Sequence, residues 1–123
     1  MVNPADLFAH EPSLVRLAPD QVLFEAGQPA DGMYVVLEGA LDVMIDGHVL
    51  EQSRRGAILG EMALIDQSPR SATVVAREPA VLVRLDPQRF QRLVQQNPFF
   101  ATHVMKVLVD RIRRVDRIRA MKS

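Results

Sequence analysis

The chain has 123 residues, of which 48% are hydrophobic, so it is long enough to build one domain around one core. It contains no cysteine, which excludes a disulfide framework and thiolate metal sites. The sequence does not open with a basic segment followed by an apolar run, and no stretch of it is apolar enough to cross a membrane. We therefore predict a single-domain cytoplasmic protein without a membrane span.

The formal net charge is zero, but the two signs are unevenly distributed along the chain. Residues 1–102 carry 8 basic and 13 acidic side chains, whereas residues 103–123 carry 7 basic and 2 acidic ones. A basic segment after an acidic body is compatible with a nucleic acid, an acidic partner or a solvated helix face. The solvated face is the default interpretation.

Short runs of alternating or β-branched residues, broken by Gly, Pro and Asp, occupy the chain from Leu14 to Leu85. Strands this short and closely spaced predict a sandwich or a barrel. The predicted strands are Leu14–Leu17, Val22–Phe24, Met33–Leu37, Leu41–Ile45, Val49–Glu51, Ala72–Val75 and Val81–Leu85. Between the fourth and fifth runs, Asp46-Gly47 predicts a two-residue hairpin turn.

After Leu85 the apolar residues recur at helical spacing. Asp86 can cap a helix that has Pro87 at its first position, and Asn97-Pro98 ends that helix and begins a second one. The second helix carries a narrow apolar stripe, which predicts packing against its own β-rich body or against a second subunit as a coiled coil. The stripe consists of Ala101, Met105, Leu108, Ile112 and Val115, widened by Val104 and Ile118.

Residues 56–73 interrupt the strand pattern and carry the candidate binding site. Gly60 lets the backbone approach a ligand closely, and Glu61 to Ile65 can form a helical turn whose free N–H groups face an anion. The planar guanidinium of Arg70 suits phosphate oxygens, and Glu61 can accept a hydrogen bond from a sugar hydroxyl. Alternatively, Glu61 caps a short helix and forms an ordinary ion pair with Arg70.

Taken together, two runs closely resemble the phosphate-binding cassette of the cyclic-nucleotide-binding family. They are Gly60-Glu61-Met62-Ala63-Leu64-Ile65 and Pro69-Arg70-Ser71-Ala72-Thr73. Phe24 to Tyr34 and Leu37-Glu38-Gly39 also resemble the first strands and turns of that family, so the resemblance extends from Leu14 to Arg119.

The resemblance implies a mainly β fold with C-terminal helices. The expected architecture is an antiparallel β-roll of the double-stranded jelly-roll type with a short phosphate-binding helix, followed by a short helix and a long amphipathic helix. Within one domain spanning residues 1–123, the roll would occupy 14–85 and its cassette 56–73. The short helix would occupy 86–97, and the long lid or dimerisation helix 98–121.

The resemblance also implies roles for individual residues. Glu61 would accept from the ribose 2′-hydroxyl, and Arg70 would bind the equatorial phosphate oxygen. The other cassette residues expected at the pocket are Gly60, Met62, Ala63, Ser71 and Ala72. Outside the cassette, Val43 and Leu50 would pack against the purine, unless they are ordinary core residues. Arg111 would lie over the base or reach the phosphate, unless it is one more solvated arginine.

Two positions bear on the identity of the purine. Members that bind cAMP in animal kinases tend to have Ala after the cassette arginine, cGMP binders tend to have Thr, and bacterial activators have Ser, as at Ser71. In those activators a Thr-Ser pair reaches the adenine, but Val115 and Asp116 stand at these positions here. Asp116 can accept from guanine N1 and N2, accept from adenine N6, or face water. We predict cAMP as the ligand, with cGMP as the alternative.

We expect a regulatory sensor rather than an enzyme, because no nucleophile stands near a plausible base. His10, His48 and His103 are widely separated, so we predict no metal site. The alternative is the sensor half of a larger transcription factor, channel or kinase. A transcription factor of this type would carry a helix-turn-helix after the long helix. Since the sequence reaches Ser123 without one, we expect no direct DNA binding by this chain.

Overall fold

The computed structural model describes residues 3–30, 32–62 and 68–122, and within the last range it leaves out the side chains of residues 115 and 118–122. The described part of the chain contains a short 3-10 helix, two four-stranded sheets and, after them, two α-helices. The strands are β1 Val15–Leu17, β2 Val22–Phe24, β3 Met33–Glu38, β4 Leu41–Ile45, β5 His48–Ser53, β6 Ile58–Leu59, β7 Thr73–Ala76 and β8 Ala80–Leu85. The helices are α1 Pro87–Gln96 and α2 Pro98–Lys122. The predicted mainly β fold with C-terminal helices is confirmed.

The two sheets have the strand orders β1-β8-β3-β6 and β2-β7-β4-β5, and every pairing is antiparallel. Apolar side chains from both sheets share one buried cluster, which includes Val36 and Leu82 from the first sheet and Leu41 and Val74 from the second. The short strand β6, which the sequence analysis did not predict, pairs with β3 and brings the start of the cassette to the edge of the first sheet.

The central strands β3 and β8 of the first sheet are buried on both faces. Val36 and Leu82 belong to the cluster between the sheets, whereas Val35 and Val83 belong to a second cluster shared with the helices. A strand covered on both sides reads as an almost continuous apolar run instead of an alternating one. The helices are therefore attached to the roll through the outer face of this sheet.

The hairpin between β4 and β5 is confirmed at the predicted turn. Ile45 pairs with His48, and Asp46 and Gly47 both have positive φ, at 52° and 79°, as a type I′ turn requires. Further along the hairpin the register shifts, because Val43 pairs with Glu51 whereas Met44 pairs with Val49. The residue left between these pairs, Leu50, forms a β-bulge, and a bulge redirects neighbouring side chains.

Helix α1 begins as predicted, with Asp86 as its cap and Pro87 in its first turn; the Asp86 side chain accepts from the backbone N–H of Arg89 at 2.7 Å. The face of α2 that packs against the roll shares Val104 and Leu108 with the predicted stripe but not the rest of its described residues. Phe100 and Val104 are buried against the second cluster, but Met105 and Ile112 are 58% and 61% exposed. Phe100, in the first turn of the helix, is the buried residue that the predicted stripe did not include.

A 3-10 helix over Pro4–Phe8, also not predicted, packs beneath the helices. Ala5 and Phe8 are buried in the second cluster. Just beyond it, Glu11 accepts two hydrogen bonds from Arg89 of α1, at 2.9 and 2.5 Å. Among the helices in the described ranges, none is long and apolar enough to cross a membrane.

Candidate functional site

A cavity of about 390 Å³ lies between the second sheet, the cassette and helix α2. Nine of the predicted binding residues lie on its wall: Gly60, Glu61, Met62, Arg70, Ser71, Ala72, Val43, Leu50 and Arg111. The tenth, Ala63, lies outside the described residues, as does most of the helical turn predicted from Glu61 to Ile65. The volume falls within the range of small-molecule binding sites.

Arg70 reaches the cavity from the C-terminal side of the cassette and is 7% exposed. Its Nη1 donates to the carbonyl oxygen of Gly60 at 3.2 Å, and its guanidinium carbon lies 4.2 Å from the ring centroid of Phe24. The backbone also holds this position, because Arg70 N donates to the carbonyl of Gln28 and Arg70 O accepts from Gly27 N. The turn after β2 therefore positions the cassette arginine, and stacking over Phe24 stabilises its cation.

Gly60 is needed for this close approach. Its φ is +74°, in the left-handed region that favours glycine, and a Cβ added there would lie 2.3 Å from Nη1 of Arg70. From the sequence, Gly60 is predicted to let the backbone approach a ligand closely. In the structure, the group that comes closest is the guanidinium of Arg70.

Glu61 is 1% exposed and lies beside Gly60 on the cavity wall. Its Oε1 accepts from Nη1 of Arg111 on α2, so its ion-pair partner is Arg111 and the alternative pairing with Arg70 is not observed among the described residues. The other oxygen, Oε2, is buried and accepts no hydrogen bond from the part of the chain that the structure describes. A buried carboxylate oxygen without a donor is costly, and a ligand hydroxyl would relieve that cost.

Arg111 directs its donors at three different acceptors. Besides the bond to Glu61, Nε donates to Oε1 of Glu51 at 2.9 Å, and Nη2 donates to the carbonyl of Ile58 at 2.6 Å. Burial lowers the pKa of Arg111, but the charges and hydrogen bonds of Glu61 and Glu51 raise it by more than burial lowers it. The pKa of Arg111 is therefore above its ordinary value. Arg111 therefore stays a cation, and its donors are engaged by protein acceptors, so it is not one more solvated arginine.

Glu51 links the network to a fourth residue. Its Oε2 accepts from Nη1 of Arg114 at 2.6 Å, while its Oε1 is held by Arg111. Glu61, Arg111, Glu51 and Arg114 thus form a chain of alternating charge that joins the cassette, β5 and α2. This chain holds α2 along one side of the cavity.

Sequence reasoning missed Glu51 as a cavity residue because side chains normally alternate along a strand. Leu50 was expected to point inward, so its neighbour Glu51 should have pointed away. Both residues line the cavity because the bulge at Leu50 breaks the alternation. The further wall residues that were not predicted are Phe24, Ile45, Leu59, Pro69, Val74, Leu108 and Ile112.

The sequence left open whether Asp116 contacts the base or faces water. In the structure it lies on the cavity wall and is also exposed to solvent. Within residues 3–30, 32–62 and 68–122, no group of three or more His, Cys, Asp or Glu side chains could hold a metal ion.

Comparison with known proteins agrees with this geometry. The family model described as "Cyclic nucleotide-binding domain" matches residues 14–97. The chain is 38% identical over 90 residues to a cyclic nucleotide-gated potassium channel of Mesorhizobium japonicum, covering 73% of this chain and 25% of the channel. It is 34% identical over 82 residues to the cGMP-dependent protein kinase egl-4 of Caenorhabditis elegans, covering 67% of this chain and 10% of the kinase.

Among solved structures, the catabolite activator protein of Thermus thermophilus superposes with a TM-score of 0.74 at 25% identity, over 89% of this chain and 59% of that one. A structure from work on a cyclic-GMP-dependent signalling pathway that regulates bacterial phytopathogenesis also gives 0.74, at 27% identity, over 91% and 93%. The chain spans a quarter or less of the channel and the kinase. The family match, the roll and the cavity agree, and the chain belongs to the cyclic nucleotide-binding domain family.

Proposed function

We propose that the chain is a regulatory sensor that binds one molecule of cAMP in the cavity beside the cassette. The observation that carries this proposal is that Glu61 and Arg70, at 1% and 7% exposure, are the two buried charged residues on the wall of a largely apolar cavity, whose other charged residues are the less buried Glu51, Arg111 and Asp116. Charged side chains are rarely fully buried in a protein, and those that are buried cluster at ligand-binding sites. One carboxylate and one guanidinium fit a ligand that carries both hydroxyl donors and a single anionic group.

The anion of this ligand is a phosphate diester at Arg70. Arginine donates in a planar fork suited to phosphate oxygens, and the cation is held ready by Phe24 and Gly60. Ser71 and the amide of Ala72, next along the chain and on the same wall, complete the phosphate contacts.

The sugar lies at Glu61 and the purine against the second sheet. The 2′-hydroxyl donates to Oε2 of Glu61, the oxygen that accepts nothing from the described residues. Val43 and Leu50 on β4 and β5 supply the apolar surface for the base. Gly60 and Met62, on the same wall, border the ribose and phosphate.

cGMP is the second candidate ligand, and the placement of Asp116 favours it. Its carboxylate lines the cavity from α2, and it can accept from N1 and N2 of guanine. Adenine offers a single exocyclic donor, N6, to the same group.

Binding is coupled to a change in the position of α2. Leu108, Arg111, Ile112 and Asp116 all reach the cavity from this helix, so a ligand there contacts the helix directly. The exposed Met105 and Ile112 give the helix apolar surface that a second copy could cover in a homodimer. We infer a non-catalytic cytoplasmic module that passes this movement to an effector.

Isothermal titration calorimetry with cAMP and cGMP tests the proposal. We expect one site per chain for each nucleotide, with the tighter binding for cAMP. AMP serves as a control, since it has the same base and sugar but a dianionic monoester in place of the cyclic diester. Failure of both cyclic nucleotides to bind at millimolar concentration would refute the proposed function.

A further inference from the structure

We propose that Glu51 is a positioning residue that keeps one oxygen of Glu61 available to the ribose, by holding Arg111 away from a two-point pairing with that carboxylate. The inference rests on the proposed function, because the ribose hydroxyl is the group that Glu61 would receive. It concerns a residue outside the cassette, on β5.

An arginine beside a carboxylate has a preferred pairing geometry. A guanidinium frequently pairs with both oxygens of one carboxylate through two parallel N–H donors. Arg111 does not do this with Glu61, although Glu61 is buried beside it. Only Nη1 donates to Glu61, and only to Oε1.

The other two donor positions of the Arg111 guanidinium are held by acceptors of the protein. Nε of Arg111 is engaged by Oε1 of Glu51 at 2.9 Å, and Nη2 by the carbonyl of Ile58 at 2.6 Å. The carbonyl belongs to the backbone of β6 and is neutral, whereas Glu51 is the charged acceptor. Glu51 is therefore the stronger restraint on the direction of the guanidinium.

Glu51 is itself held in place by a second arginine of α2. Its second oxygen accepts from Arg114 at 2.6 Å, and its side chain is 19% exposed. The bulge at Leu50 directs it into the cavity, and Arg114 fixes its carboxylate there. If the charge of Glu51 is lost, Arg111 can turn its fork onto Glu61 and occupy Oε2, where it competes with a ligand hydroxyl.

The consequence is specific to one hydroxyl of the ligand. Glu51→Gln keeps the size of the side chain but removes its charge, so it should weaken cAMP binding by about tenfold. It should weaken 2′-deoxy-cAMP by less than about twofold, since that ligand has no hydroxyl to lose. Glu51→Asp, which restores the charge on a shorter side chain, should give an intermediate affinity for cAMP.

The experiment is a calorimetric comparison of cAMP and 2′-deoxy-cAMP on the wild-type chain, Glu51→Gln, Glu51→Asp and Asp42→Asn. Asp42 is the matched control, because it lies on the neighbouring strand β4 and pairs with Arg77 at 2.8 Å but does not line the cavity. Equal weakening of both ligands by Glu51→Gln, or no weakening, would overturn the role of Glu51 while leaving the proposed function intact. Equal binding of the two ligands by the wild type would overturn both the ribose contact and this role.

If the wild type binds neither ligand, the proposed function is wrong, and a measurement on the ligand-free protein decides the placement of Arg111. The side-chain Nε–H of Arg111 can be followed by NMR, assigned by its loss in Arg111→Lys. Its exchange with solvent should accelerate by about tenfold in Glu51→Gln and stay unchanged in Asp42→Asn. Unchanged exchange in Glu51→Gln would show that Glu51 does not hold Arg111.

Discussion

Arg111 of helix α2 donates to the carboxylate of Glu61 on the cavity wall, although the two residues are 50 positions apart in the sequence. The pair joins the group proposed to bind the ribose to the helix proposed to carry the signal. A ligand that takes a hydrogen-bonding position at Glu61 therefore acts on the same carboxylate that anchors α2. This connection gives the proposed coupling a physical route.

Nucleotide binding is expected to change the hydrogen exchange of residues 101–121 while leaving that of β8 unchanged. A ligand that prefers one arrangement of the helix by about 100-fold shifts the equilibrium by about 2.7 kcal/mol, which is enough to switch a balanced pair of states. Sedimentation with and without ligand would detect an accompanying dimer. Identical exchange and identical mass at saturation would leave a passive nucleotide binder.

Arg70→Ala should weaken cyclic-nucleotide binding by about 2 to 5 kcal/mol, because a buried phosphate would lose its charge partner. The control is Arg77→Ala, an exposed arginine that pairs with Asp42 and Asp20 away from the cavity. Calorimetry should find that Arg77→Ala binds the cyclic nucleotide with unchanged affinity. A loss of less than about 0.5 kcal/mol in Arg70→Ala would remove this residue from the site.

Asp116→Ala should weaken cGMP selectively if the carboxylate contacts guanine. A direct competition assay between cAMP and cGMP measures this, with Asp110→Ala as the control, since Asp110 is exposed on the same helix and does not line the cavity. Loss of one hydrogen bond to a charged group predicts a selectivity change of about tenfold. An unchanged ratio of the two affinities would assign Asp116 to solvent alone.

Gly60→Ala should reduce both stability and ligand binding, whereas Gly47→Ala should reduce stability alone. Both glycines have positive φ, at 74° and 79°, so alanine strains the backbone by about 1 kcal/mol at either position. Only at Gly60 does the added Cβ meet another group, Nη1 of Arg70 at 2.3 Å. Urea unfolding and calorimetry separate the two effects. Equal binding by the two variants would show that Arg70 accommodates the methyl group.

Glu11→Gln should destabilise the protein near neutral pH but not in acid. Hydrogen bonds and the charge of Arg89 lower the pKa of Glu11 below its ordinary value of 4.5, although burial opposes this. A lowered pKa means that the stabilisation is fully present above pH 4.5 and is lost as the pH falls through the folded-state pKa. At pH 7 we expect a loss of about 1 kcal/mol in the free energy of unfolding. A difference that persists below the folded-state pKa would mean that Arg89 is not the cause.

Features governed by neighbouring residues were predictable from the sequence. Asp46-Gly47 specified its turn because two successive residues with positive φ are tolerated there. Asp86-Pro87 specified the start of α1 because a cap and a fixed φ act within one turn. The two runs from Gly60 to Ile65 and from Pro69 to Thr73 indicated the family through their resemblance to its phosphate-binding cassette. The predicted strand boundaries were also close to those observed, because the Gly, Pro and Asp residues that break the strands act locally.

Tertiary structure alone decided which residues complete the cavity. Glu51 faces inward because of a bulge at Leu50, and a bulge depends on the register between two strands, which no local pattern records. Arg111 can pair with Glu61 because Phe100 and Val104 anchor α2 on the roll, and the sequence pattern did not predict the burial of Phe100. Long-range packing sets both contacts, so the sequence predicted the candidate binding groups but not how they are held.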